Sequence, residues 1–230
     1  MTDNKNKQGA SLDQETLNQN EAFILKYRNA IIACVAIVVL AIVGGIFWRD
    51  HTRSTQEKAS TEMSKAQEAF AMAMQTNTPQ SFELALNGDS LGHVGFLAIA
   101  NQFGSTKAGN LSNLYAGLCY ARLGKMEVAA KYLEKFNGVG DQMVSPAVMG
   151  ALGNVYASLN QLDKAVATLK KAAEKADNNS LSPQFLIQAG EILESQGQKA
   201  EALKLYQQVK DKYFQSAQYQ IIDEYIERVK

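Results

Sequence analysis

Few residues in this chain have the type and spacing to do chemistry. His51 and His93 are its only histidines. Neither has a cysteine or a second histidine beside it at metal-ligand spacing. Cys34 lies inside an unbroken apolar run and Cys119 far beyond it, so the pair makes no disulfide framework. Cys119 falls at a helical position that packs inward and reads as core rather than nucleophile. Glu191 and Glu194 share one helix face, and paired carboxylates can do acid–base work. On a solvated helix they read as surface charge. Gly138-Val139-Gly140 places two glycines in a turn, but no strand precedes it, so it is no phosphate loop or dinucleotide fingerprint. No catalytic, cofactor-binding or metal residue is predicted, and the chain is expected not to be an enzyme.

Composition sharpens that exclusion. Lys plus Arg number 23 and Asp plus Glu number 23, so no basic excess points to nucleic acid. There are three prolines, and Val and Ile are sparse outside the apolar run while Ala and Leu are abundant. This favours an all-α chain.

The elements that organise it begin with that run. Residues 30–48 read Ala-Ile-Ile-Ala-Cys-Val-Ala-Ile-Val-Val-Leu-Ala-Ile-Val-Gly-Gly-Ile-Phe-Trp, with no charged residue. A helix of this length rises about 28 Å, close to the ~30 Å hydrocarbon core of a bilayer. Lys26, Tyr27 and Arg28 flank one end; Phe47, Trp48 and Arg49 flank the other, as the headgroup zone favours. No Ala-x-Ala cleavage site follows. The run predicts a transmembrane helix over 29–48, with Ala41, Gly44 and Gly45 small enough for another helix to approach. A polar tail, 1–28, precedes it. The tail is rich in Asn and Gln and expected to be disordered to about residue 20, with Leu17, Phe23 and Ile24 able to start a helix that runs into the span.

After the span, residues 49–109 form a stalk and an irregular first helical pair. Arg49 to Met74 lacks Gly and Pro, alternates charge, and ends in an apolar face of Ala66, Ala69, Phe70 and Ala73. A break over 76–79, a short helix over 81–86, a turn at Asn87-Gly88-Asp89 and a helix over 92–103 are expected. Gly104 stands where a left-handed C-cap belongs.

Residues 110–230 repeat. Gly117, Gly153 and Gly190 stand 36 and 37 apart. Three residues on come Tyr120, Tyr156 and Leu193; seven on, Gly124, Asn160 and Gly197, which suit a chain reversal. Twelve on come Ala129, Ala165 and Ala202; sixteen on, Leu133, Leu169 and Tyr206. Each unit is helix, turn, helix, with small residues where the helices approach. Ser145-Pro146 and Ser182-Pro183 place a capping side chain before a first-turn proline. Tyr219, Ile222, Ile226 and Val229 form one apolar stripe, backed by Asp223, Glu224, Glu227, Arg228 and Lys230, as a terminal capping helix requires.

These units resemble the tetratricopeptide repeat, a helix pair of about 34 residues. The second copy fits best, with Leu152, Gly153, Tyr156, Ala165, Leu169 and Ala172. The family's early Trp is replaced by Asn113, Met149 and Leu186, its closing Pro by Asp141, Asp177 and Phe214, and the linkers are two or three residues longer. The resemblance implies an α-solenoid with a concave groove lined by the first helix of each pair. In register, the groove should hold Leu114, Leu118 and Arg122, then Gly150, Asn154 and Ala157, then Ile187, Glu191 and Glu194. Some relatives clamp a peptide's terminal carboxylate with Lys and Arg there; Leu114, Gly150 and Ile187 stand at the relevant places, so that activity does not carry over.

The layout of tail, span and repeats is also similar to single-pass bacterial inner-membrane proteins such as the ancillary subunit of the Sec translocon. That likeness implies a binding scaffold with a periplasmic repeat domain, and translocon subunits, periplasmic chaperones or exported chains as partners. Neither nucleic acid nor a small-molecule substrate is expected as a partner. A scaffold in a cell-division or secretion complex is the alternative. Within about twenty residues of the run, the tail side carries Lys26 and Arg28 and the domain side Arg49, Arg53, Lys58 and Lys65. That count alone favours the inverted topology, a cytoplasmic membrane-tethered adaptor. The tail's further Lys5 and Lys7, and the ease with which long domains translocate, weigh against it.

Overall fold

The chain begins in one long helix, α1 (Asn4–Thr76), of a computed structural model that describes residues 4–89 and 92–230. Side chains are described from residue 25 onward, Ile31 excepted, so those of Leu17, Phe23 and Ile24 lie outside the described residues. The tail expected to be disordered is helical from Asn4. The chain divides into two units, Met1–Ser54 and Thr55–Lys230.

In the first unit the described apolar side chains are exposed, Leu40 at 71 % and Trp48 at 74 %. Gly44 and Gly45 have open space where a Cβ would stand. The helix is long and apolar enough to cross a membrane.

In the second unit the last turns of α1 change character. Ala59, Met63, Ala66 and Ala73 recur at helical spacing and are buried. They pack with α2 (Pro79–Asn87), α3 (Phe96–Gln102) and α4 (Lys107–Arg122) in one apolar cluster. Phe70 meets Phe82, Phe96 and Tyr115 edge to face, at centroid distances of 6.3, 6.2 and 5.1 Å. The expected break follows α1: Asn77 has φ 50°, and the Thr78 hydroxyl accepts from the Ser81 amide ahead of α2. Two local expectations fail. The third helix starts at Phe96 rather than Gly92, because Gly88 and Val94 form an antiparallel bridge that holds the backbone extended. Gly104 does not take a left-handed φ; α3 ends at Gln102 and Phe103 caps it, its amide bonding to the Ile99 carbonyl.

Three helix pairs follow: α4 with α5 (Met126–Lys135), α6 (Val144–Ser158) with α7 (Leu162–Ala176), and α8 (Ser182–Ser195) with α9 (Lys199–Lys212). Apart from the one bridge, the described residues form no strand. Each pair reverses at a residue of positive φ, Gly124 at 72°, Asn160 at 57° and Gly197 at 75°. Glycine and asparagine are the residues that reach this region at least cost. The small-residue register is the expected one. A Cβ on Gly117 would stand 2.6 Å from Leu133 Cγ, on Gly153 2.7 Å from Leu169 Cγ, and on Gly190 2.3 Å from the Tyr206 ring. Ala129, Ala165 and Ala202 are fully buried beside them.

The expected serine caps do not form. α6 begins at Val144 and α8 at Ser182 itself, so Ser145 and Ser182 are inside their helices and buried. Upstream polar residues satisfy the first amides. Asp141 accepts from the Met143, Val144 and Ser145 amides, and Asn178 Oδ1 from Ser180 and Leu181. The Ser145 hydroxyl first, and then those amides, hold the Asp141 carboxyl well below the usual carboxylate range. Ser182 instead staples two elements, donating to the Ala173 carbonyl at 2.8 Å and accepting from the Asn178 amide at 3.1 Å.

The chain ends in a short 3-10 turn, Ala217–Gln220, and α10 (Ile222–Val229). Ile222, Ile226 and Val229 close the last apolar cluster, as expected of a cap. Tyr219 does not join them. It lies in the 3-10 turn and is 40 % exposed, and Tyr225 packs instead, its ring 5.3 Å from that of Tyr206.

Candidate protein-binding groove

The first helices of the pairs, α4, α6 and α8, line two neighbouring depressions. Between α4 and α6, Leu118, Ala121, Arg122, Ala151, Asn154 and Ser158 surround a hollow of about 360 Å³. Between α6 and α8, Asn154, Ala157, Gln188, Glu191, Ile192 and Ser195 surround one of about 280 Å³. Asn154 lines both and is exposed. Its carboxamide can donate and accept, which suits an extended peptide backbone crossing from one hollow to the next. Arg122 and Glu191, both exposed, put opposite charges at separate places along the groove.

Of the residues expected here, Leu118, Arg122, Asn154, Ala157 and Glu191 line the hollows. Four are placed elsewhere. Leu114 is half-buried against the cluster around Ala129 and Leu133. Gly150 is buried against the next repeat, where a Cβ would stand 2.2 Å from the Phe185 ring. Ile187 is 6 % exposed and belongs to the core of the last pair. Glu194 is not a solvated groove carboxylate. It accepts from Arg228 Nε at 2.8 Å and Nη2 at 2.7 Å, and from the Tyr206 hydroxyl. The Arg228 guanidinium, with help from that hydroxyl, holds its carboxyl below the usual range against the opposing effect of burial. Burial, with Glu194 beside it, pushes the Tyr206 phenol up. Glu194 is therefore a link between α8, α9 and the capping helix.

The groove also contains residues that the register did not name. Ala151 and Ser158 stand three before and four after Asn154; Gln188 and Ser195 stand three before and four after Glu191. Helical neighbours at those spacings share a face, so the signal was present. Gln188 Oε1 is buried without a hydrogen-bond partner among the described residues, an acceptor at the groove wall.

Among the described residues no arrangement favours catalysis. Burial pushes the Cys119 thiol up to about 12, which disfavours the thiolate a nucleophile needs. His93 Nδ1 lies 2.5 Å from Asp89 Oδ2 in the loop after α2, far along the sequence from the groove. Among the described residues no group of three or more His, Cys, Asp or Glu side chains could hold a metal ion.

A family model described as a tetratricopeptide repeat-like domain matches residues 21–229. The chain belongs to that family. Its repeats are also similar in fold to solved tetratricopeptide-like repeats from Podosopora anserina, described as those of a kinesin light chain and nearly identical to one another. One such structure has a TM-score of 0.57 at 16% identity, covering 74% of this chain and 85% of that one. A second has the same score and identity and covers 74% and 86%. At this identity the likeness concerns the fold alone. No curated protein matches in sequence. Proteins of tetratricopeptide architecture are typically scaffolds for protein–protein interaction, and the all-helical solenoid described above is of that kind.

Proposed function

We propose that this chain is a membrane-anchored scaffold that acts by binding proteins in the α4–α6–α8 groove and not by catalysis. The observation that carries the reading is the coexistence of two features in one chain. One is an exposed apolar helix of bilayer length; the other is a repeat solenoid whose groove offers mixed polar and apolar hollows joined at Asn154. Exposed apolar surface of that extent is sustained by lipid or by a partner, not by water. The family match begins ahead of the span and runs through the repeats, which supports treating anchor and groove as one device. The layout argues for a bacterial inner membrane, a periplasmic repeat domain, and translocon subunits, chaperones or exported chains as occupants of the groove.

A photo-crosslinking amino acid at Asn154, activated in intact membranes, tests the partner. Adducts with translocon subunits, periplasmic chaperones or exported chains are expected. Adducts confined to a cell-division or secretion assembly would replace this reading with a structural scaffold of that complex. The cation count around the span favours a second reading, a cytoplasmic tethered adaptor. Reporter fusions after Lys230 decide between them. Active alkaline phosphatase and dark green fluorescent protein are expected for a periplasmic domain; the reverse pattern would establish the adaptor.

A further inference from the structure

A third hollow lies outside the repeats, between the last turns of α1 and α2. It measures about 330 Å³, at the low end of the ~300–1,000 Å³ typical of ligand pockets. One wall is a single stripe of α1: Lys65, Ala69, Met72 and Thr76. The facing wall is Ser81, Leu84, Ala85 and Gly88, and the loop through Asp89, His93 and Val94 closes one end. The floor is made of small residues, with Ala66 3 % and Ala85 1 % exposed, while the lips are large and exposed, with Met72 at 64 % and Leu84 at 46 %. Among the described residues no side chain fills it.

Its shape and charge restrict what fits. Lys65 to Thr76 is twelve residues of helix, eleven rises of ~1.5 Å or about 16 Å, so the hollow is a groove about three turns long. An amphipathic helix, with apolar anchors at i, i+3, i+4 and i+7, is the shape that lies in a trough between two helices. Methionine at the lip suits an adaptable apolar contact. At the rim Lys65 is already paired with Glu62 at 3.2 Å, and His93 with Asp89. Glu68 is exposed and has no ion-pair partner among the described residues. The charge left for an incoming chain is therefore negative.

We infer that the α1–α2 groove is a second docking surface, and that its occupant is a basic amphipathic helix of a partner protein. The helix places its apolar face between Met72 and Leu84 and a Lys or Arg beside Glu68. This surface is separate from the α4–α6–α8 groove and lies nearer the span in sequence, so one chain can hold two partners at once.

Labelled model peptides of roughly three helical turns test it by fluorescence anisotropy on the purified full chain in detergent. The first has Leu and Ala on one face and Lys on the other; the second replaces Lys with Glu; the third scrambles the first. Saturable binding of the basic peptide, stronger than either control, is expected. The double variant Met72→Ser, Leu84→Ser should weaken it about tenfold, as loss of docking anchors does. Both side chains are exposed, so its melting temperature should stay at the wild-type value. Glu68→Lys should reverse the preference toward the acidic peptide. Asn154→Arg, in the other groove, should leave basic-peptide binding unchanged, which separates failure of this inference from failure of the proposed function. Equal binding by the wild type and the double serine variant would overturn the site. A wild-type preference for the acidic or scrambled peptide, or an unchanged preference in Glu68→Lys, would overturn the basic helix as its occupant.

Discussion

The middle and last helix pairs solve one packing problem with the same two residue types in opposite places. In the middle pair the first helix carries Tyr156 and the second carries Leu169; in the last pair the first carries Leu193 and the second Tyr206. Each pair thus encloses one aromatic and one leucine, a volume-conserving exchange that a close-packed core tolerates. What changes is where the phenol points. Tyr156 reaches back to Glu134 of the preceding pair at 2.5 Å, with Lys164 3.9 Å above its ring. Tyr206 reaches Glu194, which Arg228 of the capping helix also grips. An internal repeat ties itself to its predecessor; the terminal one ties itself to its cap. The last pair is covered by α10 in place of another helix pair, so that difference matters most there.

The largest effect should come from the glycines that make room for either large residue. Gly190→Leu would force a side chain into the Tyr206 ring and should destabilise by about 3 kcal/mol; Gly153→Leu, against Leu169, should cost about 1–3 kcal/mol. Urea unfolding measures both, and wild-type stability for either would break the comparison at its root.

Exchanging the middle pair's residues sharpens it. Tyr156→Leu with Leu169→Tyr reproduces the last pair's arrangement but leaves the new phenol facing Ala157, the position equivalent to Glu194. A loss of about 2 kcal/mol is expected, and adding Ala157→Glu should recover about 1 kcal/mol by supplying the acceptor. No recovery would mean that the carboxylate is incidental.

Glu194→Ala should destabilise by about 2 kcal/mol, since it strips charge-assisted bonds from both Arg228 and Tyr206. Its pH dependence follows from the depressed carboxyl. The folded value lies below the unfolded one of about 4.3, so the contribution is complete above that pH and is lost as pH falls through the folded pKa. The stability gap between the wild type and Glu194→Ala should therefore be constant from neutral pH down to about 5 and close on further acidification. A gap that widened in acid would have the wrong sign for this link.

The smallest effect should be Tyr156→Phe, about 0.5–1 kcal/mol, because Glu134 stays solvated when its donor is lost. Thermal unfolding of this variant beside Tyr206→Phe should show the terminal phenol to be the more important of the two.

Much of this molecule is written in side-chain size at a fixed period. Glycine or alanine opposite Leu133, Leu169 and Tyr206, with Gly124, Asn160 and Gly197 at the reversals, specifies three helix pairs because close approach of two helices is a local, repeating requirement. Residues 30–48 specify a helix of bilayer length for an equally local reason. Half of the groove was legible in the same way, since Leu118, Arg122, Asn154, Ala157 and Glu191 follow from which helix face lies opposite the pair partner. Other placements were decided only by the tertiary structure. Gly150 is closed by Phe185 of the following repeat, Ile187 is drawn into the last core, and Glu194 is captured by Arg228, 34 residues away. The Gly88–Val94 bridge delays α3, and Asp141 and Asn178 take over the capping that the serines next to the prolines could have supplied. Each of these depends on how one repeat turns against the next or how a loop folds back. That geometry arises from contacts between distant residues, and a period read along a single helix contains no information about it.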